Sequence, residues 1–188
     1  MTSSKFCNDA VQRTVRQLGK LDILVNNAAY ACDQPQITRI TDEQLDRTIR
    51  TNVYGYFYMA RAAVPHMKPG GSIIMTGSIS AIDSQPTLID YAMTKAANHS
   101  LVKSLSQGLI EKGIRVNCVA PGPVWTPLAT LASQKDSDAR DFGKDAPMKR
   151  PAQPDELAPA YVYFASNADS SYVSGATLLV YAGKPSPV

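Results

Sequence analysis

The sequence predicts an α/β fold, with one parallel sheet carrying helices on both faces. Three observations lead there. Short apolar runs rich in branched residues recur along the chain, nearly continuous as in strands buried on both faces. Longer segments between them keep a helical period. The two kinds alternate, in the order helix, strand, helix, strand, helix, strand, loop, helix, strand.

The first helix is SSKFCNDAVQRTVRQLG, with Ser3 or Ser4 as cap and Gly19 as stop. Its apolar face is read from Phe6, Ala10, Thr14 or Val15, and Leu18. LDILVNNAA follows as a strand expected to be buried on both faces. TDEQLDRTIRTNVYGYFYMARAAVPHM is one long helix that opens on a Thr41/Gln44 capping box, with Pro65 at its end. GGSIIMTGS is the second strand. The third helix carries Tyr91, Lys95, Asn98, Val102, Leu105 and Leu109 at spacings of three and four, so one stripe faces a neighbour. GIRVNCVAPG is the third strand. The segment from Pro123 to Gln153 is polar, Pro-rich and weakly periodic, and reads as a long loop with some helix. PDELAPAYVYFAS starts a helix at Pro154, and Pro159 is expected to kink it. GATLLVYAG is the last strand.

The 188 residues suit one domain, with 44% hydrophobic and 19% charged residues to form a core. The net charge of +3 is scattered, which argues against nucleic acid as a partner. Cys7, Cys32 and Cys118 are far apart and form neither a zinc pattern nor a disulfide framework, so no metal is expected. No apolar run reaches the ~20 residues of a membrane helix. The N-terminus has no signal-peptide core, and a cytoplasmic location without membrane partners is expected.

Ligands of parallel sheets bind beyond the carboxyl ends of the strands. Asn26-Asn27-Ala28, Thr76-Gly77-Ser78 and Pro121-Gly122 occupy those positions and are expected to line one crevice. Tyr91 and Lys95 are i and i+4 and share a helix face. A tyrosine titrates near ~10, and bringing it to neutrality requires roughly 4 kcal/mol of preferential stabilisation of the phenolate. A nearby ammonium supplies part of that and a second positive charge more. Such a tyrosine exchanges protons at an alcohol or carbonyl, with Ser78 holding the substrate oxygen. Taken alone, the Tyr91/Lys95 pair is ordinary helix-surface spacing; Ser78 at a strand end makes it informative.

NNAA after a strand, Asn52 in TNVYGYFYM, Ser78 in TGSIS, YAMTK and APGPVWT occur in that order from about Lys5 to Tyr181. Together they resemble the short-chain dehydrogenase/reductase family. The resemblance implies a Rossmann-like doubly wound sheet and an NAD- or NADP-dependent oxidoreductase acting on a small alcohol or ketone. It implies Tyr91 as acid/base, Lys95 as the group that lowers its pKa and binds the nicotinamide ribose, Ser78 as substrate anchor, and Asn52 as holder of a water. Asn26 and Ala28 would border the adenosine side of the cofactor. Pro121, Gly122, Val124 and Thr126 would wrap its nicotinamide end. Residues 127–150 would form the substrate loop. A homo-oligomer, dimer or tetramer, would form through the helices carrying Asn52 and Tyr91.

Plainer roles stand beside these. Asn26, Asn27, Pro121 and Gly122 serve equally well as turn residues. Asn52 can bond backbone and bend its helix. His66 and His99 read as structural, and Trp125 as packing. The sequence departs from the family's pattern at its front. No T-G-x-x-x-G-x-G turn precedes Gly19, so the expected fold is the family's sheet shortened at its N-terminus. The usual diphosphate cradle is then missing and an apolar sheet edge left bare. Ala29 and Ala182 stand where the family commonly has glycine. An alternative to the enzyme is a non-catalytic remnant that works only through oligomer or partner contacts.

Overall fold

The computed structural model describes residues 2–132 and 141–184. Four strands, β1 (Ile23–Asn26), β2 (Ser72–Thr76), β3 (Arg115–Pro121) and β4 (Thr177–Val180), form one sheet in the order β1-β2-β3-β4. Every pairing is parallel, with Ile23 opposite Ser72, Ser72 opposite Arg115 and Cys118 opposite Thr177. The helices are α1 (Ser4–Leu18), α2 (Asp42–Ile49), α3 (Gly55–Ala63), α4 (Ile89–Leu109), α5 (Pro127–Ala132), α6 (Pro154–Ala165) and α7 (Asn167–Ser170).

Strand periodicity sorts the core into two layers. Leu24, Ile73, Met75, Val116 and Cys118 face α1, α3 and α4, where they meet Val11, Tyr56, Ala60 and Val102. Ile74 and Val119 face the other way and pack against Phe164 of α6. Phe164 is 1% exposed, and truncating such a ring to alanine removes about 3–5 kcal/mol.

Three expectations change in the structure. The inner face of α1 is carried by Cys7 and Val11, while Phe6 and Leu18 are 57% and 73% exposed. Its contact is with α3, and the buried side chains are smaller than the two that turn outward. The caps are as expected: Ser3 Oγ accepts from the Phe6 N–H, and Gly19 closes the helix at φ 77°. β1 is buried on one face only. Leu24 and Asn26 point inward, but Ile23 and Val25 are 44% and 45% exposed, because α6 packs on β2 and β3 rather than on β1. The long helix is broken into α2, a π-helical turn (Arg50–Tyr54), α3 and a 3-10 turn (Val64–His66). Thr41 Oγ1 accepts from the Gln44 N–H at 3.2 Å, but Gln44 makes no reciprocal bond and turns its side chain inward.

At α6 the box is complete: Gln153 and Glu156 cap each other, Pro154 occupies the first turn, and Arg150 grips Glu156 with two bonds of 2.7 Å. The helix runs unbroken through Pro159. The carbonyl that the proline leaves unbonded belongs to Asp155, an exposed residue. In the long loop, Val124 bridges to Ala152 and Trp125 packs 6.0 Å from Phe142. Residues 133–140 of the expected substrate loop lie outside the described residues.

Candidate active site

The carboxyl end of β2 meets the N-terminal half of α4, where Lys95 reaches the Thr76 carbonyl. Ser78 follows β2 in an extended conformation and accepts from the Ser80 N–H at 3.1 Å, starting a 3-10 turn (Ile79–Ala81). Its hydroxyl lies near enough to the Tyr91 phenol to act on it and lower its pKa. One turn along α4, Lys95 is 1% exposed. Its Nζ donates to the Thr76 carbonyl at 2.7 Å and to the Tyr56 hydroxyl at 3.5 Å. It lies 5.5 Å from the centre of the Tyr91 ring and 5.3 Å from that of Tyr56. Ser78, Tyr91 and Lys95 are thus brought together, as the sequence suggested.

The electrostatics differ from the expectation. Burial raises the Tyr91 phenol above its ordinary value, the nearby Ser78 hydroxyl opposes this, and Tyr161 adds to it. Lys95 is itself pushed down to about 8 by burial, with Cys118 acting the other way. The ammonium is directed at the Thr76 carbonyl rather than at the phenolic oxygen. In the chain alone, desolvation therefore outweighs charge support for the phenolate.

Asn52 lies in the π-helical turn, a distortion common at functional sites. Its Oδ1 accepts from the Tyr30 N–H at 2.8 Å, and its Nδ2 donates to the Tyr30 carbonyl and to Thr94 Oγ1. Thr94 in turn donates to the Tyr91 carbonyl at 2.7 Å. The amide thus ties the segment after β1 to α4, and makes no hydrogen bond to Lys95. Asn26 also points inward: it is 1% exposed and donates to the Tyr56 carbonyl. Ala28 is exposed beyond the strand end, and Asn27 Oδ1 accepts from Thr76 Oγ1 at 2.8 Å.

On the far side, Pro121, Gly122, Val124 and Thr126 lie along the exit of β3 and the turn into α5. Gly122 is packed so closely that an added Cβ would lie 2.5 Å from the Tyr181 ring. The bridge to Ala152 uses the Trp125 N–H and the Pro123 carbonyl. The Val124 N–H consequently turns to the opposite side, away from Ala152. His66 is exposed, away from these groups. His99 has its Nε2 buried without a partner, and burial with Lys95 and Lys103 nearby lowers its pKa.

Several neighbours of the site were not singled out from sequence. Tyr56, four residues after Asn52, donates to the Thr76 carbonyl at 3.2 Å. The Tyr161 hydroxyl meets Thr76 Oγ1 at 2.7 Å. Asp90 is 2% exposed and accepts from the Tyr91 N–H, Thr48 Oγ1 and Gln44 Nε2. Asp83, Tyr181 and Lys184 bond one another across the exit of β4. Signals existed for two of them. Tyr56 is i+4 from Asn52 on a helix, and Asp90 precedes Tyr91. Among the described residues no group of three or more His, Cys, Asp or Glu side chains is placed to hold a metal ion. Among them, too, no helix is long and apolar enough to cross a membrane.

A family model described as enoyl-(acyl carrier protein) reductase matches residues 1–184. An uncharacterised oxidoreductase of Bacillus subtilis (strain 168), YhxC, is 52% identical over 95% of this chain and 62% of its own length. The NADPH-dependent aldehyde reductase 1, chloroplastic, of Arabidopsis thaliana is 45% identical over 92% of this chain and 59% of its own. The chain thus spans about three-fifths of the length of these curated relatives. A 3-ketoacyl-(acyl-carrier-protein) reductase from Brucella melitensis, solved in complex with NADH, superposes with a TM-score of 0.88 at 29% identity. That match covers 97% of this chain and 75% of the other. The family model takes in nearly every residue from which the sheet, α4 and its tyrosine are built, and the chain belongs to the short-chain dehydrogenase/reductase family.

Proposed function

We propose that the protein is an NAD(P)-dependent oxidoreductase that moves hydride between a nicotinamide and a small alcohol or carbonyl substrate, with Tyr91 as acid/base. The observation that carries this is the buried Lys95 5.5 Å from the centre of the Tyr91 ring, with Ser78 acting on the same phenol. The residues present fit the nicotinamide end of such a cofactor: the Val124 N–H faces away from its bridge, and Lys95 lies on the face of Tyr91. The proposal covers NAD and NADP alike. Pro121, Gly122 and Thr126 would line the nicotinamide side, and Asn26 and Ala28 the adenosine side. Asn26 would act there by shaping the strand end, since its amide is turned inward.

A bound nicotinamide supplies or takes the hydride and, when oxidised, adds the positive charge that the buried phenol lacks. In the reducing direction Tyr91 gives its proton to the carbonyl oxygen, and in the oxidising direction it takes the proton from the alcohol. The Ser80 N–H occupies one lone pair of Ser78, which leaves that hydroxyl free to hold the same substrate oxygen. The Lys95 ammonium balances the negative charge that Tyr91 carries once its proton has left. Asn52 keeps the segment after β1 and α4 in register, and holding a water is assigned to its backbone. Residues 1–188 would act as one domain, with 127–150 contacting substrate, in the cytoplasm.

A second reading is supported by a groove of about 490 Å³ on α3 and α4, lined by Val53, Tyr54, Phe57, Ala97 and Leu101. Tyr54 and Phe57 are 40% and 45% exposed there. A second copy docked on this face would give a homo-oligomer, and a chain without turnover would act through that contact alone. Calorimetry with NADH and NADPH decides between the readings, followed by Tyr91→Phe on a ketone panel. The enzyme reading expects micromolar binding and a loss of turnover of about 10²–10⁴-fold in the variant. Folded protein that binds neither cofactor up to millimolar concentration refutes it.

A further inference from the structure

Lys95 is a buried ammonium against which, among the described residues, no carboxylate is placed. Its charge rests on one carbonyl, one phenol oxygen and two aromatic faces, and Tyr56 supplies two of these four contacts. We infer that Tyr56 is a positioning residue for Lys95, whose hydroxyl and ring hold the ammonium at the carboxyl end of β2 against the face of Tyr91. This rests on Tyr91 and Lys95 being the reacting pair.

The donor and acceptor accounting is consistent. The phenol has one hydrogen, which goes to the Thr76 carbonyl at 3.2 Å. Its lone pairs are then free to accept from Lys95 Nζ at 3.5 Å. The Thr76 carbonyl takes both donors, so Lys95, Tyr56 and the end of β2 form a closed triangle. Tyr56 is well fixed for this task. It is fully buried, and its backbone carbonyl accepts from Asn26 Nδ2. It also follows the π-helical turn directly. A π-helical turn holds one residue more than an α-turn, which rotates everything after it by about 100°. The distortion that places Asn52 against Tyr30 therefore also aims Tyr56 at the sheet.

The titratable groups around Lys95 are Tyr91 and His99 from α4, Tyr56 from α3 and Cys118 from β3; Tyr161 of α6 lies next to both Tyr56 and Tyr91. None is an anion at neutral pH that replaces the Tyr56 oxygen. Phenylalanine at this position keeps the ring and loses the oxygen, so the charged form of Lys95 loses support and the neutral form gains. Leucine loses both contacts.

The test is a pH titration of Lys95 by NMR in protein carrying ¹³C at the lysine ε-carbon, assigned with Lys95→Met. Parent, Tyr56→Phe and Tyr56→Leu are compared, with urea midpoints to monitor folding. Tyr56→Phe is expected to fold and to titrate Lys95 about half to one pH unit below the parent. Tyr56→Leu should titrate at least as low. If turnover is found, the alkaline limb of kcat moves to lower pH by the same amount in Tyr56→Phe. Lys95 titrating at the same pH in the parent and in folded Tyr56→Phe overturns the inference. Absence of cofactor binding overturns the proposed activity instead, and the lysine titration still decides the role of Tyr56.

Discussion

Asp90 gives the sharpest test of how Tyr91 is held. The carboxylate is 2% exposed and accepts from the Tyr91 N–H at 2.9 Å, Thr48 Oγ1 at 2.7 Å and Gln44 Nε2 at 3.1 Å. Leu88, the residue at the cap of α4, makes no side-chain bond, so Asp90 does the capping from within the first turn. Alanine at this position affects the three donors unequally. Thr48 has a second acceptor in the Gln44 carbonyl at 2.8 Å and loses little. Gln44 keeps its bond to the Cys32 carbonyl and loses one of two. The Tyr91 N–H loses its side-chain acceptor. At roughly 1–3 kcal/mol for a buried donor left unsatisfied, and about 1 for the weakened Gln44, Asp90→Ala should destabilise by about 2–4 kcal/mol. Asp90→Asn retains an oxygen for Tyr91 but turns its NH₂ toward Thr48 and Gln44, and should lose about half as much. Urea unfolding followed by circular dichroism measures both. A loss below about 1 kcal/mol in Asp90→Ala, or an asparagine variant weaker than the alanine one, refutes the capping argument.

Stability should respond to pH through Lys95. Its folded pKa of about 8 lies below the ordinary 10.5, so above pH 8 the unfolded chain binds more protons than the folded one and stability rises with pH. Cys118, pushed up to about 11 from 9, acts oppositely above pH 9. A rise on the order of 1 kcal/mol between pH 8 and 9, flattening above, is expected in urea titrations and should vanish in Lys95→Met. Gly77→Ala would put a Cβ 2.5 Å from His99 Nε2 and 2.6 Å from Cys118 Sγ, both confined side chains, and should destabilise by about 1–3 kcal/mol on thermal unfolding. Ala182 adopts φ 49°, a left-handed conformation that disfavours alanine, so Ala182→Gly should raise the unfolding free energy by about 0.5–1 kcal/mol. No gain in that variant would show that the exit of β4 is not strained.

The alternation of elements was readable because apolar period is a local property, and all four strands and the main helices fall where it placed them. Ser78, Tyr91 and Lys95 were readable because two share a helix face and the third ends a strand. What sequence did not show arises between distant segments. Tyr56 and Tyr161 reach Thr76 from 20 and 85 residues away, and neither separation has a period to read. The inner face of α1 is not legible in its sequence because its larger apolar residues, Phe6 and Leu18, turn outward while Cys7 and Val11 meet the neighbouring helix. The exposure of Ile23 and Val25 depends on how far α6 extends across the sheet, which β1 itself does not encode. The π-helical turn left only one trace, an asparagine in the middle of a helix.

The strand order has a consequence for how the chain acquires its shape. Among the described strands each pairs with the one before it in sequence, so none of β2, β3 and β4 has to insert between two earlier ones. A chain leaving the ribosome can lay β2 on β1, then β3 on β2, without undoing a pairing. Ser78, Tyr91, Lys95 and Thr76 all precede Pro121 in the sequence. The segment after Pro121 then supplies α6, β4 and the Val124 bridge beside the corner that these residues form. Domains that add structure from one end expose fewer half-made edges during synthesis than those that must wait for a distant partner.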